Sequence, residues 1–309
     1  MGPTSSPRVV RLATRGSPLA RWQTEHVAGL IRERHPGVAV EPVVVKTEGD
    51  RRRDAPIWQI GGKGLFVREI QAAVLDGRAD AAVHSAKDMP GEQLDGLLLA
   101  AIAVRADASD VLVGGRLAEL RPGARVGTGA PRRRAQLAHL RPDLTFAELR
   151  GNIGTRLDVA SDHPIVMASA ALDRLGVDPT ERGLDVDVLD HADLLPQVGQ
   201  GAIAVESRAD ADGMIDLLAA VDHEPSRRAV VAERAFLAEL GGDCDLPCGA
   251  HATVQNDGTL RLEAMLASLD GRVLVRHTGT GTDPDALGHT VGRALLEEAG
   301  GSALLAVGR

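Results

Sequence analysis

Through the first 220 residues, short apolar runs alternate with windows whose apolar positions recur at helical spacing. Val9–Thr14 reads as a strand. Ser17-Pro18 then supplies a capping hydroxyl with proline at the first helical position, which predicts a helix to about Arg34. Val38–Lys46 predicts a second strand, Gly64–Gly77 a helix and Ala79–His84 a third strand. After Leu97–Val104 the rhythm restarts, with strands at Val111–Val113, Arg125–Gly127, Thr145–Leu149, Ile165–Ala168 and Val186–Leu189 and a helix from Pro131. Such βαβ alternation implies two α/β domains with mostly parallel sheets, whose ligands bind beyond the carboxyl ends of strands. The loops Ala13–Ser17, His84–Pro90, Gly127–Arg134 and Arg150–Arg156 all follow predicted strands, so they are expected to face one cleft. The polar, aperiodic stretch Thr47–Gly62 is long for a compact domain and reads as a lid. From about Asp222 the pattern changes. A helix near Pro225–Leu240 precedes apolar runs at Ala252–Gln255, Leu260–Leu266 and Val273–Thr278, separated by Asn256-Asp257-Gly258 and Asp270-Gly271. Turn signals of that kind predict an antiparallel meander, which a helix at Ala286–Ala299 completes as a small α+β domain.

Composition narrows the function classes. With 309 residues, 44% hydrophobic and 25% charged, the chain is long enough for two or three domains. No apolar run approaches the roughly 18 residues of a membrane span, and the first residues carry no export pattern, so a cytoplasmic location is expected. Aromatics are 2% and tyrosine is missing, which argues against base stacking on single strands. A net charge of −8 opposes binding to duplex nucleic acid.

Against that acidic background, the stretch from Arg121 to Arg156 holds eight arginines and two acids, a local +6. A basic focus in an acidic chain points to a small polyanion, and guanidinium suits carboxylates or phosphates because its fork bonds both oxygens. Arg132, Arg133 and Arg134 occupy the first turn of a predicted helix, where cations oppose the macrodipole unless an anion lies over the free N–H groups. Lys87 and Asp88 adjoin at the exit of an apolar strand, a pairing suited to holding a carboxylate and a developing cation. Cys244 and Cys248 occupy a glycine-rich loop. Their Cys-x3-Cys spacing lacks the second ligand pair of a structural zinc site, so no metal is expected.

Taken in order, the segments Arg11–Ala20, Gly61–Phe66, Ala82–Asp88, Val126–Thr128 with Arg132-Arg133, Leu149–Leu157, Val198–Ala202 and Ala232–Arg234 closely resemble the porphobilinogen deaminase family. The resemblance implies two periplasmic-binding-protein-like α/β domains joined by a hinge, plus a small C-terminal α+β domain. The expected division is residues 1–103 with 200–220, then 104–199, then 221–309, the last carrying the cofactor cysteine. It implies head-to-tail condensation of four porphobilinogen molecules with loss of ammonia, on a dipyrromethane primer joined by thioether to Cys244, and hydrolytic release of hydroxymethylbilane. Asp88 matches the catalytic aspartate, expected to stabilise positive charge on pyrrole nitrogens as an azafulvene-like electrophile forms. Lys87, Arg15, Arg150 and Arg156 join it in catalysis. Thr128, Arg132 and Arg133, with Lys87, Asp88 and Arg156, are expected to hold the cofactor. Ser17, Lys63, Phe66, Arg174 and Gln200, with Arg15, Arg150 and Arg156, are expected at the substrate. The resemblance also implies a monomer whose hinge and lid move as each added pyrrole brings two more carboxylates.

The chain departs from the family pattern at Gly129 and Ala130, where two serines are usual, and at Asp243 and Asp245 beside the carrier cysteine. Cys248 has no counterpart role and is expected to remain a free thiol. A solute-binding protein for an anionic metabolite has a similar two-domain pattern, but lacks a reason for the cysteine loop. Reversible release of unchanged ligand would mark that alternative, and salt-sensitive DNA or RNA binding would mark a nucleic-acid protein.

Overall fold

The computed structural model describes residues 8–47, 67–241 and 246–307. The chain divides into two compact units, one of Met1–Met89, Gln93–Arg105 and Ala202–Arg227, the other of Pro90–Glu92, Ala106–Gly201 and Arg228–Arg309.

The first unit is built on a five-stranded sheet. Its strands are β1 (Arg8–Arg15), β2 (Val38–Val45), β3 (Ala81–Ser85), β4 (Leu97–Ile102) and β10 (Ile203–Arg208), in the order β2-β1-β3-β10-β4. Helix α1 (Pro18–Arg34) returns the chain from β1 to its parallel neighbour β2, with Ser17 Oγ accepting from Ala20 N at 3.3 Å as the N-cap. Gln23, Thr24, Val27, Ala28 and Ile31 form the buried stripe of α1, spaced at three to four residues as a sheet-facing helix requires. Val10, Leu12, Val83 and Val205 meet it from the sheet. On the other face, α2 (Arg68–Leu75) buries Ile70 and Val74 against Ala13 and Ala82. The unit's last complete helix, α6 (Asp212–Leu218), follows β10.

The second unit repeats the plan. Strands β5 (Asp110–Val113), β6 (Arg125–Gly127), β7 (Thr145–Ala147), β8 (Ile165–Ala168) and β9 (Val186–Leu189) lie in the order β7-β6-β8-β5-β9. Helices α3 (Pro131–Leu140), α4 (Ile153–Ala160) and α5 (Ser169–Leu175) intervene along the chain. In each sheet the fourth strand runs opposite to its neighbours, β10 against β3 and β4, and β5 against β8 and β9. The other four strands of each sheet share one direction, the mostly parallel arrangement expected from the sequence. Neither β10 nor β5 is delivered by a crossover helix, the element that enforces parallel pairing.

The C-terminal meander forms as expected, with β11 (Cys248–Val254), β12 (Leu260–Ala267) and β13 (Leu274–Gly281) pairing antiparallel in chain order. Helices α7 (Glu224–Glu239), α8 (Pro284–Glu297) and α9 (Gly301–Val307) accompany it, and Phe236, Leu262, Leu266, Val291 and Leu295 form its core. Strand β11 begins four residues before the sequence suggested. Cys248, Gly249 and Ala250 are all buried, and such a small-residue run shows no alternation. This sheet shares a unit with the preceding one because Ala135, Leu195, Met265 and Ala267 pack together. Glu233, fully buried, adds a polar tie by accepting from Gly199 N at 2.7 Å and Ala252 N at 2.8 Å. Of the long polar loop expected over Thr47–Gly62, only Thr47 lies within the described residues.

Candidate active site

The first unit gathers its polar residues at the carboxyl ends of β1 and β3. Strand β3 carries the buried His84, ends at Ser85 and runs into a single 3₁₀ turn, Ala86–Asp88, which leaves Lys87 and Asp88 half-buried. Arg15 closes β1 and places Nη1 3.9 Å from Asp88 Oδ2. Together with Ser17, Gln23, His84 and Ser85 these two line a cavity of about 60 Å³. Sites that enclose a whole small molecule measure roughly 300–1,000 Å³, so this recess accepts an edge or one substituent of a substrate.

Gln23 and Ser85 were not anticipated from the sequence. Gln23 Nε2 donates to Ser85 Oγ at 2.9 Å, fixing both on the cavity wall. Behind them His84 Nε2 lies 3.1 Å from Glu206 Oε2, close enough for an ion pair, and Gln71 Nε2 donates to the same oxygen at 2.9 Å. All three are buried. The signal that could have found Glu206 is a carboxylate directly after the apolar run Ile203-Ala204-Val205 of its strand.

In the second unit Arg132 and Arg133 turn inward from the first turn of α3. Arg132 Nη2 donates to Asp110 Oδ2 at 2.7 Å and Nη1 to the Leu195 carbonyl at 2.7 Å. Arg133 gives Nη2 and Nε to Asp110 Oδ1, at 2.7 and 3.1 Å, and Nη1 to the Val166 carbonyl at 3.0 Å. Gln200 Nε2 completes the cluster, donating to Asp110 Oδ1 at 2.8 Å and the Ala108 carbonyl at 2.7 Å. The anion that meets this arginine pair is thus built in. Burial alone would push the Asp110 carboxyl up, yet the charges of Arg132 and Arg133 and the hydrogen bonds of Arg133 and Gln200 hold it well below the usual carboxylate range. Arg134 points outward, with its guanidinium 5.8 Å from the Phe146 ring centre.

Thr128 is buried and its Oγ1 accepts from Ala130 N at 3.2 Å. Arg150 and Arg156 are half-buried at the start of α4, where Asn152 caps the helix and Arg156 Nε donates to the Gly151 carbonyl at 3.0 Å. Arg174 Nη2 donates to the Gly201 carbonyl at 2.6 Å. Cys248 is a buried thiol pushed up to about 12 by burial, with the Arg132 charge pulling the other way. It is therefore protonated and unreactive at neutral pH. Lys63, Phe66 and Cys244 lie outside the described residues. Within each unit, then, the structure brings Arg15, Ser17 and Asp88 together, and separately Arg132, Arg133 and Gln200.

Residues 10–216 match the family described as porphobilinogen deaminase, dipyrromethane cofactor binding domain, and residues 227–297 match the porphobilinogen deaminase C-terminal domain. The porphobilinogen deaminase of Nitratidesulfovibrio vulgaris strain Miyazaki F is 48% identical over 281 residues, covering 89% of this chain and 87% of that one. The Moorella thermoacetica porphobilinogen deaminase is 44% identical over 303 residues, covering 96% and 95%. Among solved structures, the methionine-binding protein MetQ is similar over 70% of this chain and 90% of its own, at 14% identity and a TM-score of 0.42. On the two domain matches and this level of identity over nearly its whole length, the chain belongs to the porphobilinogen deaminase family.

Proposed function

We propose that the chain performs the reaction of its family, joining four porphobilinogen molecules head to tail with loss of ammonia and releasing hydroxymethylbilane. The observation that carries this reading is the placement of Asp88. Its carboxylate lines a recess with Arg15, Ser17 and Gln23, where a pyrrole's positive charge and its acidic side chains are both answered. Asp88 stabilises the pyrrole nitrogen as ammonia leaves, and a carboxylate about 4 Å from a cation is worth about 4 kcal/mol at an effective dielectric near 20. Arg15 and Ser17 hold a substrate carboxylate at the same recess, with Lys87 beside them. Lys63 and Phe66 flank the substrate, while Arg150, Arg156 and Arg174 hold carboxylates of the lengthening chain.

The dipyrromethane group, joined through Cys244, supplies the primer onto which pyrroles are added. The second unit fits such a polyanion. Two buried guanidiniums share one carboxylate, and Arg132 Nε is buried without a hydrogen-bond partner among the described residues. Arg132, Arg133 and Thr128 are assigned to it, with Lys87, Asp88 and Arg156. Three separate sheets support the division into residues 1–103 with 200–220, 104–199 and 221–309. The same reading makes the protein a cytoplasmic monomer without a nucleic-acid partner, consistent with its charge of −8. Among the described residues no helix is long and apolar enough to cross a membrane.

Incubation with porphobilinogen tests the reading. Ammonia and a linear tetrapyrrole are the expected products, and recovery of unchanged porphobilinogen would refute it.

A further inference from the structure

A buried guanidinium left without a counter-charge is costly, because removing one partner of a buried ion pair strands the other in a medium that cannot solvate it. The cluster at Asp110 holds this imbalance in the native chain. Arg132 and Arg133 are 3% and 7% exposed and Asp110 is 0% exposed, so among the described residues two cations face one carboxylate away from water. Among the described residues the charges acting on Arg132 are those of Asp110 and Arg133, with the Cys248 thiol a third only if ionised. That thiol, pushed up to about 12, is neutral. Burial and the neighbouring Arg133 charge together lower the proton affinity of Arg132 more than Asp110 restores it, the mark of incomplete compensation. Geometry agrees. Every nitrogen of Arg133 has an acceptor, whereas Arg132 Nε is buried and has no hydrogen-bond partner among the described residues.

Asp110 meanwhile has its orientation fixed by Gln200, which also ties it to the Ala108 carbonyl. The geometry points to Asp110 as a positioning residue: braced by Gln200, it aims Arg132 and Arg133 and leaves the pair one negative charge short, so that a carboxylate of the dipyrromethane group completes the cluster. Asp110 touches neither primer nor substrate and acts through the two arginines. This inference rests on the deaminase reading.

Intact mass and melting temperature test it together. The parent chain is weighed first, because a parent without a two-pyrrole adduct overturns the deaminase reading itself. Asp110→Asn is then placed in the parent and in a Cys244→Ser chain that cannot carry the group. Without cofactor, Asp110→Asn strands both cations and lowers the melting temperature on the order of 10 °C. In the loaded chain the bound carboxylates supply the missing charge, and the fall is less than half as large. Equal falls in the two backgrounds overturn the proposal and leave the deaminase reading intact.

If Asp110→Asn yields no folded chain, Arg132→Gln serves. It leaves Asp110 with Arg133 and Gln200, and the Leu195 carbonyl with Gln136 at 3.0 Å. The inference expects the cofactor-free melting temperature to stay within about 2 °C while the loaded chain loses several degrees. A larger loss in the cofactor-free chain overturns it.

Discussion

At position 88 a carboxylate stands one short turn beyond the end of β3, on the wall of a recess it shares with Arg15. Removing a group that answers charge developing in a transition state typically lowers turnover about 10²–10³-fold. Asp88→Ala is therefore expected to lose turnover by that factor while intact mass still shows the dipyrromethane adduct, and turnover within a few-fold of the parent would contradict the assignment. Lys87 and Asp88 were legible in the sequence because they adjoin at the end of an apolar strand. Asp110, Gln23 and Glu206 were not. Each is defined by partners distant in sequence, 22 residues for Asp110–Arg132 and 135 for Gln71–Glu206. A buried polar side chain is explained by the partner that satisfies it, and a single sequence does not show that partner.

Among the elements, α1 depends most visibly on a residue with two duties. Ser17 caps it and also lines the recess. Ser17→Ala should lower unfolding stability by about 1 kcal/mol, measured by urea titration, whereas Ser17→Asp keeps the cap and most of the stability. An equal loss for both would show that the cap bond contributes nothing. Gly201 tests the second unit in the same way. Its φ is +83°, and an added Cβ would collide with the Ala106 carbonyl, so Gly201→Ala should destabilise by more than the usual strain of a left-handed residue, about 1–3 kcal/mol. An unchanged melting temperature would contradict that placement. The Ser17-Pro18 boundary was readable because capping and proline are local chemistry. Strand β10 and its antiparallel direction were not, since its place depends on where the chain returns after building the other sheet.

Over the whole molecule, a net charge of −8 surrounds a basic cluster with its own internal carboxylate. Asp110 binds a proton less readily in the folded chain than in the unfolded one, so its contribution is present above the unfolded carboxylate range and is lost as pH falls below about 4. Between about pH 5 and pH 2 the melting temperature should fall more steeply for the parent than for Asp110→Asn, and parallel slopes would contradict the buried pair. The architecture of two α/β sheets and a meander was legible from periodicity together with local turn and capping signals. The union of the meander with the second sheet was not, because it arises from contacts such as Glu233 with Gly199 and Ala252.

The most direct test of the central claim is intact-mass spectrometry of the denatured protein after brief exposure to limiting porphobilinogen. The account predicts a two-pyrrole adduct before exposure, a ladder of one to four further pyrrole units after it, and loss of every adduct in Cys244→Ser. A single unmodified mass under all three conditions would contradict it.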